Sequence, residues 1–291
     1  MFEGFTQRRV ATGGAEINLR VGGEGPPLLL LHGYPQTHAM WHAVAPGLVR
    51  SGFTVVCPDL PGYGESSKPP STADHEPYSK RAMARDLVAA MAALGFDRFA
   101  VVGHDRGGRV AYRMAFDHPE RVTRLVTLDI VPTLAQWKTM DFRGGMAGYH
   151  WFFLAQPAPL PEKLIGADPI FYLHNNLARW AAPGFVYDAE ALAEYERAFA
   201  NPETVRASCE DYRAGATVDI AIDEADYGTR KIACPMLALW GEREGAPPRH
   251  LVEVWKEWAT DVRGMAIRGG HFLAEEAPGP TLAALTEFLS H

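Results

Sequence analysis

The sequence predicts an α/β fold: a mostly parallel, eight-stranded sheet flanked by helices, with a helical segment inserted after the sixth strand. Three observations carry this prediction. Short, nearly continuous apolar runs alternate with longer stretches of helical periodicity. Two strand patterns near the start face each other across a glycine pair. The alternation stops at Pro132 and resumes only at Cys234. The 291 residues are 47% hydrophobic and 22% charged, which supplies a large core and excludes a disordered chain.

Taken in order, Thr6–Val10 and Ile17–Val21 flank Gly13-Gly14 and read as an antiparallel hairpin on the sheet edge. Leu28–Leu31, Phe53–Cys57, Phe99–Val102, Leu125–Leu128 and Met236–Trp240 read as parallel strands buried on both faces. Val262–Ile267 is the last strand. From Ser79 to Leu94, Met83, Leu87, Val88, Met91 and Leu94 recur at spacings of three and four, the stripe of an amphipathic helix. Helices are also expected over Gly107–Asp117 and Arg249–Trp258. Residues 132–221 hold no strand pattern. They hold Trp137, Trp151, Trp180 and helical stretches such as Ala189–Phe199. The expected division is a core of residues 1–131 and 222–291 and a helical cap of residues 132–221. A cap over the carboxyl ends of parallel strands closes a site against water.

Composition narrows the partners. Lys and Arg number 28 against 35 Asp and Glu, a net charge of −7 that is unsuited to nucleic acid. Cys57, Cys209 and Cys234 form no C-x-x-C pair, so a disulfide framework and a zinc ribbon are both unsupported. Reduced, cytoplasmic thiols are the expectation. The opening MFEGFTQRRV has no apolar stretch, and the apolar runs are too short to span a membrane. A soluble cytoplasmic protein acting on a small molecule is expected, without metal or cofactor.

The strongest chemical signal is Val101-Val102-Gly103-His104-Asp105-Arg106-Gly107-Gly108, which ends a strand and opens a helix. Gly103 and Gly107 bracket Asp105 with the spacing of a nucleophile elbow, a tight turn that bulky neighbours would block. The elbow presents its nucleophile at a helix N-terminus, where peptide dipoles favour negative charge. Asp129 follows the strand Leu125–Leu128, and His271 follows Gly269-Gly270 after the last strand. Nucleophile, acid and histidine thus appear in the chain order of a hydrolase triad. A second source for the acid is the loop after the penultimate strand, where Glu242 and Glu244 lie; Asp129 is preferred. Asp105 as a plain helix N-cap is the bland alternative, and the company it keeps argues against it.

The whole chain resembles the α/β-hydrolases with a cap. More narrowly it is similar to the fluoroacetate dehalogenases, relatives of haloalkane dehalogenases and epoxide hydrolases. The resemblance rests on five stretches. They are His32-Gly33-Tyr34-Pro35-Gln36, Pro58-Asp59-Leu60-Pro61-Gly62-Tyr63-Gly64, Gly103 to Arg109, Leu128-Asp129-Ile130-Val131-Pro132-Thr133 and Tyr149-His150-Trp151-Phe152. It implies an oxyanion hole from the backbone N–H groups of Tyr34 and Arg106. It also implies a halide pocket of His150, Trp151 and Tyr212, and a homodimer. His32 and His104 flank the site as structural residues, and Trp137, Trp180, Trp255 and Trp258 are assigned to packing.

The residues constrain the chemistry independently. A carboxylate nucleophile needs no deprotonation but is poor against esters. It suits displacement at a saturated carbon bearing a leaving group, which yields an aspartyl ester. Histidine then activates water against that ester. Arg106 and Arg109 lie three residues apart and can share a helix face. Two guanidinium groups beside the nucleophile suit a substrate carboxylate. The expectation is therefore a hydrolytic dehalogenase that converts a haloacetate, fluoroacetate foremost, to hydroxy acid and halide. An epoxide hydrolase using the same Asp105, His271 and Asp129 is the alternative. It would draw on Tyr149, Tyr172 or Tyr212 and leave the two arginines unexplained.

Overall fold

The computed structural model describes residues 1–243 and 249–290. Eight strands form one sheet: β1 (Thr6–Ala11), β2 (Glu16–Gly22), β3 (Pro27–Leu31), β4 (Thr54–Pro58), β5 (Phe99–His104), β6 (Val122–Leu128), β7 (Met236–Glu242) and β8 (Val262–Arg268). Their spatial order is β1-β2-β4-β3-β5-β6-β7-β8. The β1–β2 hairpin is antiparallel, β2 joins β4 antiparallel, and every later pairing is parallel. Side chains of β3, β4 and β5 are buried on both faces, as their unbroken apolar runs require.

Periodicity and a side-chain cap agree in the helix read from Ser79 onward. Ser79 caps the helix Lys80–Ala93, its hydroxyl accepting the Ala82 N–H at 3.0 Å. The helix Asp105–Asp117 starts at the elbow itself, two residues before the apolar pattern suggests. The helix expected over Arg249–Trp258 is confined to Leu251–Lys256. Tertiary partners shorten it: Arg249 turns to an ion pair with Asp129, and the Trp258 carbonyl accepts the Ile232 N–H at 2.8 Å.

Between β6 and β7 the described chain is helical, from Thr133–Lys138 through to Val218–Asp226. Ala189–Phe199 is a helix with the bounds read from sequence. The last helix continues past Ala221 because its acidic side chains dock on the helix that follows the elbow. Asp223 accepts from the Tyr112 hydroxyl at 2.8 Å, and Asp226 pairs with Arg113 at 2.6 Å. No helix among the described residues is long and apolar enough to cross a membrane.

Sheet register places the chemistry. His104 pairs with Leu128 across β5 and β6, so Asp105 and Asp129 emerge side by side at the carboxyl ends of adjacent strands. Both have left-handed backbones, φ 45° and 56°. That conformation is strained for residues other than glycine and is kept only where the surroundings over-determine it. At Asp105 close backbone crossings do so. A Cβ added to Gly103 would sit 2.4 Å from the Gly107 carbonyl oxygen, and one on Gly107 would sit 2.3 Å from that of His32. These walls are backbone and cannot swing aside. Gly107→Ala should therefore cost at least about 1–3 kcal/mol, the penalty of an overpacked interior. The check is a lowered urea midpoint with an unchanged slope.

Candidate active site

Asp105 lines a cavity of about 520 Å³, together with Arg109, Asp129, His150, Trp151, Trp180 and His271 among others. Its Oδ1 accepts the Tyr34 N–H at 2.9 Å, and its Oδ2 lies 3.9 Å from His271 Nε2. The two oxygens therefore have different surroundings. Oδ2 is turned toward the histidine, and Oδ1 sits on the backbone donor expected for an oxyanion hole. The Arg106 N–H is one of the first amides of its helix, a class without partners inside the helix. Burial works against the Asp105 charge, but His271, His104, Arg106 and Arg109 together hold its pKa below the usual carboxylate value. The surroundings thus favour the ionised form of the Asp105 carboxyl.

His271 Nδ1 is 2.6 Å from Asp129 Oδ2. Burial disfavours the imidazolium, yet Asp129 and then Asp105 outweigh it and raise the His271 pKa above 6.5. Asp129 Oδ1 accepts from Gly241 N–H at 3.1 Å and from Arg249. The structure thus brings Asp129 to the histidine. Glu242 is exposed at the end of β7, and Glu244 lies outside the described residues. Two neighbouring histidines have other duties. His32 Nε2 accepts the Leu60 N–H at 2.9 Å, and burial lowers its pKa to about 4. His104 Nε2 donates to the His271 carbonyl at 2.9 Å, and burial lowers its pKa to about 3.

The two arginines part company. Arg106 is wholly buried, and its guanidinium is committed to Asp211: Nε to Oδ2 at 3.0 Å, Nη2 to Oδ1 and to the carbonyl, each at 2.7 Å. Asp211 also accepts the Tyr63 hydroxyl at 2.6 Å and pairs with Lys80. Only Nη1 of Arg106 has no protein partner among the described residues. The reason is desolvation: a buried guanidinium needs a carboxylate beside it. Arg109 instead lines the cavity. Its Nη1 donates to the Val131 carbonyl at 3.0 Å and to Thr133 Oγ1 at 3.2 Å, and Nε is without a partner among the described residues.

His150, Trp151 and Tyr212 converge from two helices, Tyr149–Leu154 and Pro202–Ala216. Ring centroids lie 5.6 Å apart for His150 and Tyr212 and 5.8 Å for Trp151 and Tyr212. The Arg106 guanidinium stands 4.2 Å over Tyr212 and that of Arg109 4.5 Å over Trp151. Burial lowers the His150 pKa to about 3, so its ring is neutral and carries one N–H. Burial and then Asp105 push the Tyr212 phenol well up, so it too keeps its proton.

Sequence reasoning placed Trp180 in the packing, whereas it lines the cavity. Its ring is 4.5 Å from His150, and its carbonyl accepts the His271 N–H at 2.9 Å. Arg249 and Asp211 were not singled out either. The signal for Asp211 was present: a second buried charge is required wherever a buried Arg106 is inferred.

Residues 26–278 match the family described as the alpha/beta hydrolase fold. Over its whole length the chain is 47% identical to a fluoroacetate dehalogenase of a Burkholderia species, covering 95% of that protein. Over 94% of its length it is 33% identical to a soluble epoxide hydrolase of a Corynebacterium species, covering 93% of it. A solved structure from Nostoc sp PCC 7120, described as an alpha/beta hydrolase, superposes with a TM-score of 0.97. It is 51% identical, with full coverage of both chains.

An imidazole accepts a proton only when neutral, so activity that depends on His271 should be lost as pH falls through its raised pKa. Asp129→Asn removes the main group that raises it. The inflection should move to lower pH, and the rate should fall by several orders of magnitude as the ring loses its orienting partner. The pH dependence of kcat in both forms checks this. Glu242→Gln should change neither.

Proposed function

The chain belongs to the α/β-hydrolase fold family, and on that premise we propose that it is a hydrolytic dehalogenase, converting a haloacetate, fluoroacetate foremost, to the hydroxy acid and halide. One observation carries the proposal: an ionised carboxylate at the elbow shares a cavity with the Arg109 guanidinium and faces a histidine. The 47% identity to a fluoroacetate dehalogenase supports the substrate class.

In the first step Asp105 Oδ2 attacks the halogen-bearing carbon. The carbon–halogen bond breaks with its electron pair, and halide leaves. Oδ2 is the attacking atom because Oδ1 is held by Tyr34 N–H. Arg109 holds the substrate carboxylate, while Arg106, bound to Asp211, supports the wall from outside the cavity. His150, Trp151 and Tyr212 receive the halide. In the second step His271 Nε2 takes a proton from water, whose oxygen attacks the ester carbonyl carbon. Negative charge then develops on Oδ1, where the Tyr34 and Arg106 N–H groups stabilise it. Such a donor is worth about 3 kcal/mol. Collapse breaks the bond to the alkyl oxygen, which leaves as the hydroxy acid after taking the proton from His271.

The epoxide hydrolase relative shares this first step, but a neutral epoxide has no use for Arg109 beside the nucleophile. The helices between β6 and β7 act as the cap that excludes bulk water. The reading includes a cytoplasmic homodimer, with Cys57, Cys209 and Cys234 as free thiols.

Asp105 should label. Single-turnover hydrolysis of fluoroacetate in heavy-oxygen water places the label in the Asp105 carboxylate, because water attacks the ester carbonyl. Label in the product alone would mean that water attacks substrate directly. His271→Ala should accumulate a carboxymethyl adduct on Asp105.

Two substitutions separate the binding roles. Arg109→Ala should cost about 2–5 kcal/mol in kcat/KM whichever halogen is used, since a charge-assisted contact to the carboxylate is lost. Trp151→Phe should depress fluoroacetate turnover far more than bromoacetate turnover. Departing fluoride concentrates its charge and gains most from preorganised donors. Halide release across fluoro-, chloro- and bromoacetate, with a styrene-type epoxide alongside, measures both. Equal loss for all halogens in Trp151→Phe would remove Trp151 from the halide pocket.

A further inference from the structure

We propose that Glu276 is a positioning residue for the general base: its carboxylate ties the loop carrying His271 to the helical insertion and thereby sets the approach of the imidazole to the aspartyl ester. This rests on the reading of Asp105 as the nucleophile that forms the ester.

The backbone around His271 can be accounted for group by group. The N–H groups on either side of it, those of Gly270 and Phe272, donate to the same side chain: Gly270 N to Glu276 Oε2 at 2.7 Å and Phe272 N to Oε1 at 2.8 Å. The N–H of His271 itself goes to the Trp180 carbonyl and its carbonyl to His104 Nε2, both at 2.9 Å. Glu276 Oε2 accepts a third N–H, from Ala182, at 2.7 Å. Trp180 and Ala182 lie at the end of the helix Pro169–Trp180, which belongs to the insertion. The crossing is close: a Cβ on Gly270 would lie 2.5 Å from the Ala182 nitrogen.

The base is therefore suspended between two segments about ninety residues apart, and one carboxylate accepts a hydrogen bond from both. Three backbone N–H groups thus converge on the two oxygens of one side chain. A glutamine cannot replace it, because one of its two terminal atoms is itself a donor and would face a peptide N–H. The effect on chemistry is selective. Attack by Asp105 on carbon needs no base, whereas ester hydrolysis needs Nε2 placed for water, starting from a 3.9 Å separation to Oδ2. Displacement of a reacting group by about 1 Å can cost a factor of 100. Glu276 holds the backbone on either side of His271 and makes no hydrogen bond to the imidazole among the described contacts, so it acts through backbone position.

The test separates the two half-reactions in the full-length enzyme with fluoroacetate. Rapid-quench mass spectrometry follows the appearance and decay of the Asp105 adduct in wild type, His271→Ala and Glu276→Gln. The proposal expects adduct formation in Glu276→Gln within about threefold of wild type and adduct decay slowed about 10- to 100-fold. Its pH midpoint for decay should stay in place. Glu276→Asp, which keeps the charge but withdraws it by one methylene, should show the same selectivity in smaller measure, and it serves if the Gln variant does not fold. Equal slowing of formation and decay, or decay at the wild-type rate, overturns the role of Glu276 while His271→Ala still traps adduct. Absence of adduct in His271→Ala overturns the aspartyl-ester reading, and the role of Glu276 with it.

Discussion

An ionised carboxylate held in a left-handed backbone at the carboxyl end of β5 is the constraint to which the rest of this structure conforms. The conformation admits only glycine at positions 103 and 107, because other backbone passes where a Cβ would go. The charge admits only surroundings that compensate it, because an unpaired buried carboxylate would take up a proton. Both demands are met by groups drawn from every layer of the molecule.

The compensation runs as a chain of alternating charges. Asp105 is stabilised by His271, Arg106 and Arg109; His271 is stabilised by Asp129, and Arg106 by Asp211. Asp211 is held in turn by Lys80, which also reaches Asp219. Each member is buried or half-buried, so removing one leaves its neighbour uncompensated. The order of charges also explains why two arginines so close in sequence differ in role. Arg106 spends its fork on Asp211 and stiffens the wall behind Tyr212, while Arg109 keeps donor capacity in the cavity.

The insertion contributes more than a cover. His150, Trp151 and Tyr212 form an aromatic wall in which burial leaves the imidazole neutral, with a single N–H, and keeps the phenol undissociated. Trp180 is shared between that wall and His271, its ring against His150 and its carbonyl accepting the His271 N–H. A displacement of the insertion would therefore reach the histidine directly, through peptide hydrogen bonds.

What the sequence by itself determined were the features governed by short-range rules. Apolar runs bounded by turn residues marked the strands. Three-and-four spacing marked the helix beginning after Ser79, and the Gly103–Gly107 bracket marked Asp105. Because strand ends in a parallel sheet share one edge, Asp129 and His271 could be grouped with Asp105 before any contact was seen. Tertiary structure alone decided the rest. It turned Arg106 onto Asp211, 105 residues away, and truncated the helix before β8 by drawing Arg249 to Asp129 and the Trp258 carbonyl to Ile232. It moved Trp180 from packing into the cavity and carried the last inserted helix past Ala221. Each of these follows from where a buried charge or peptide group finds its partner, and that depends on how the insertion lies over the sheet, a relation that no local pattern of residues encodes.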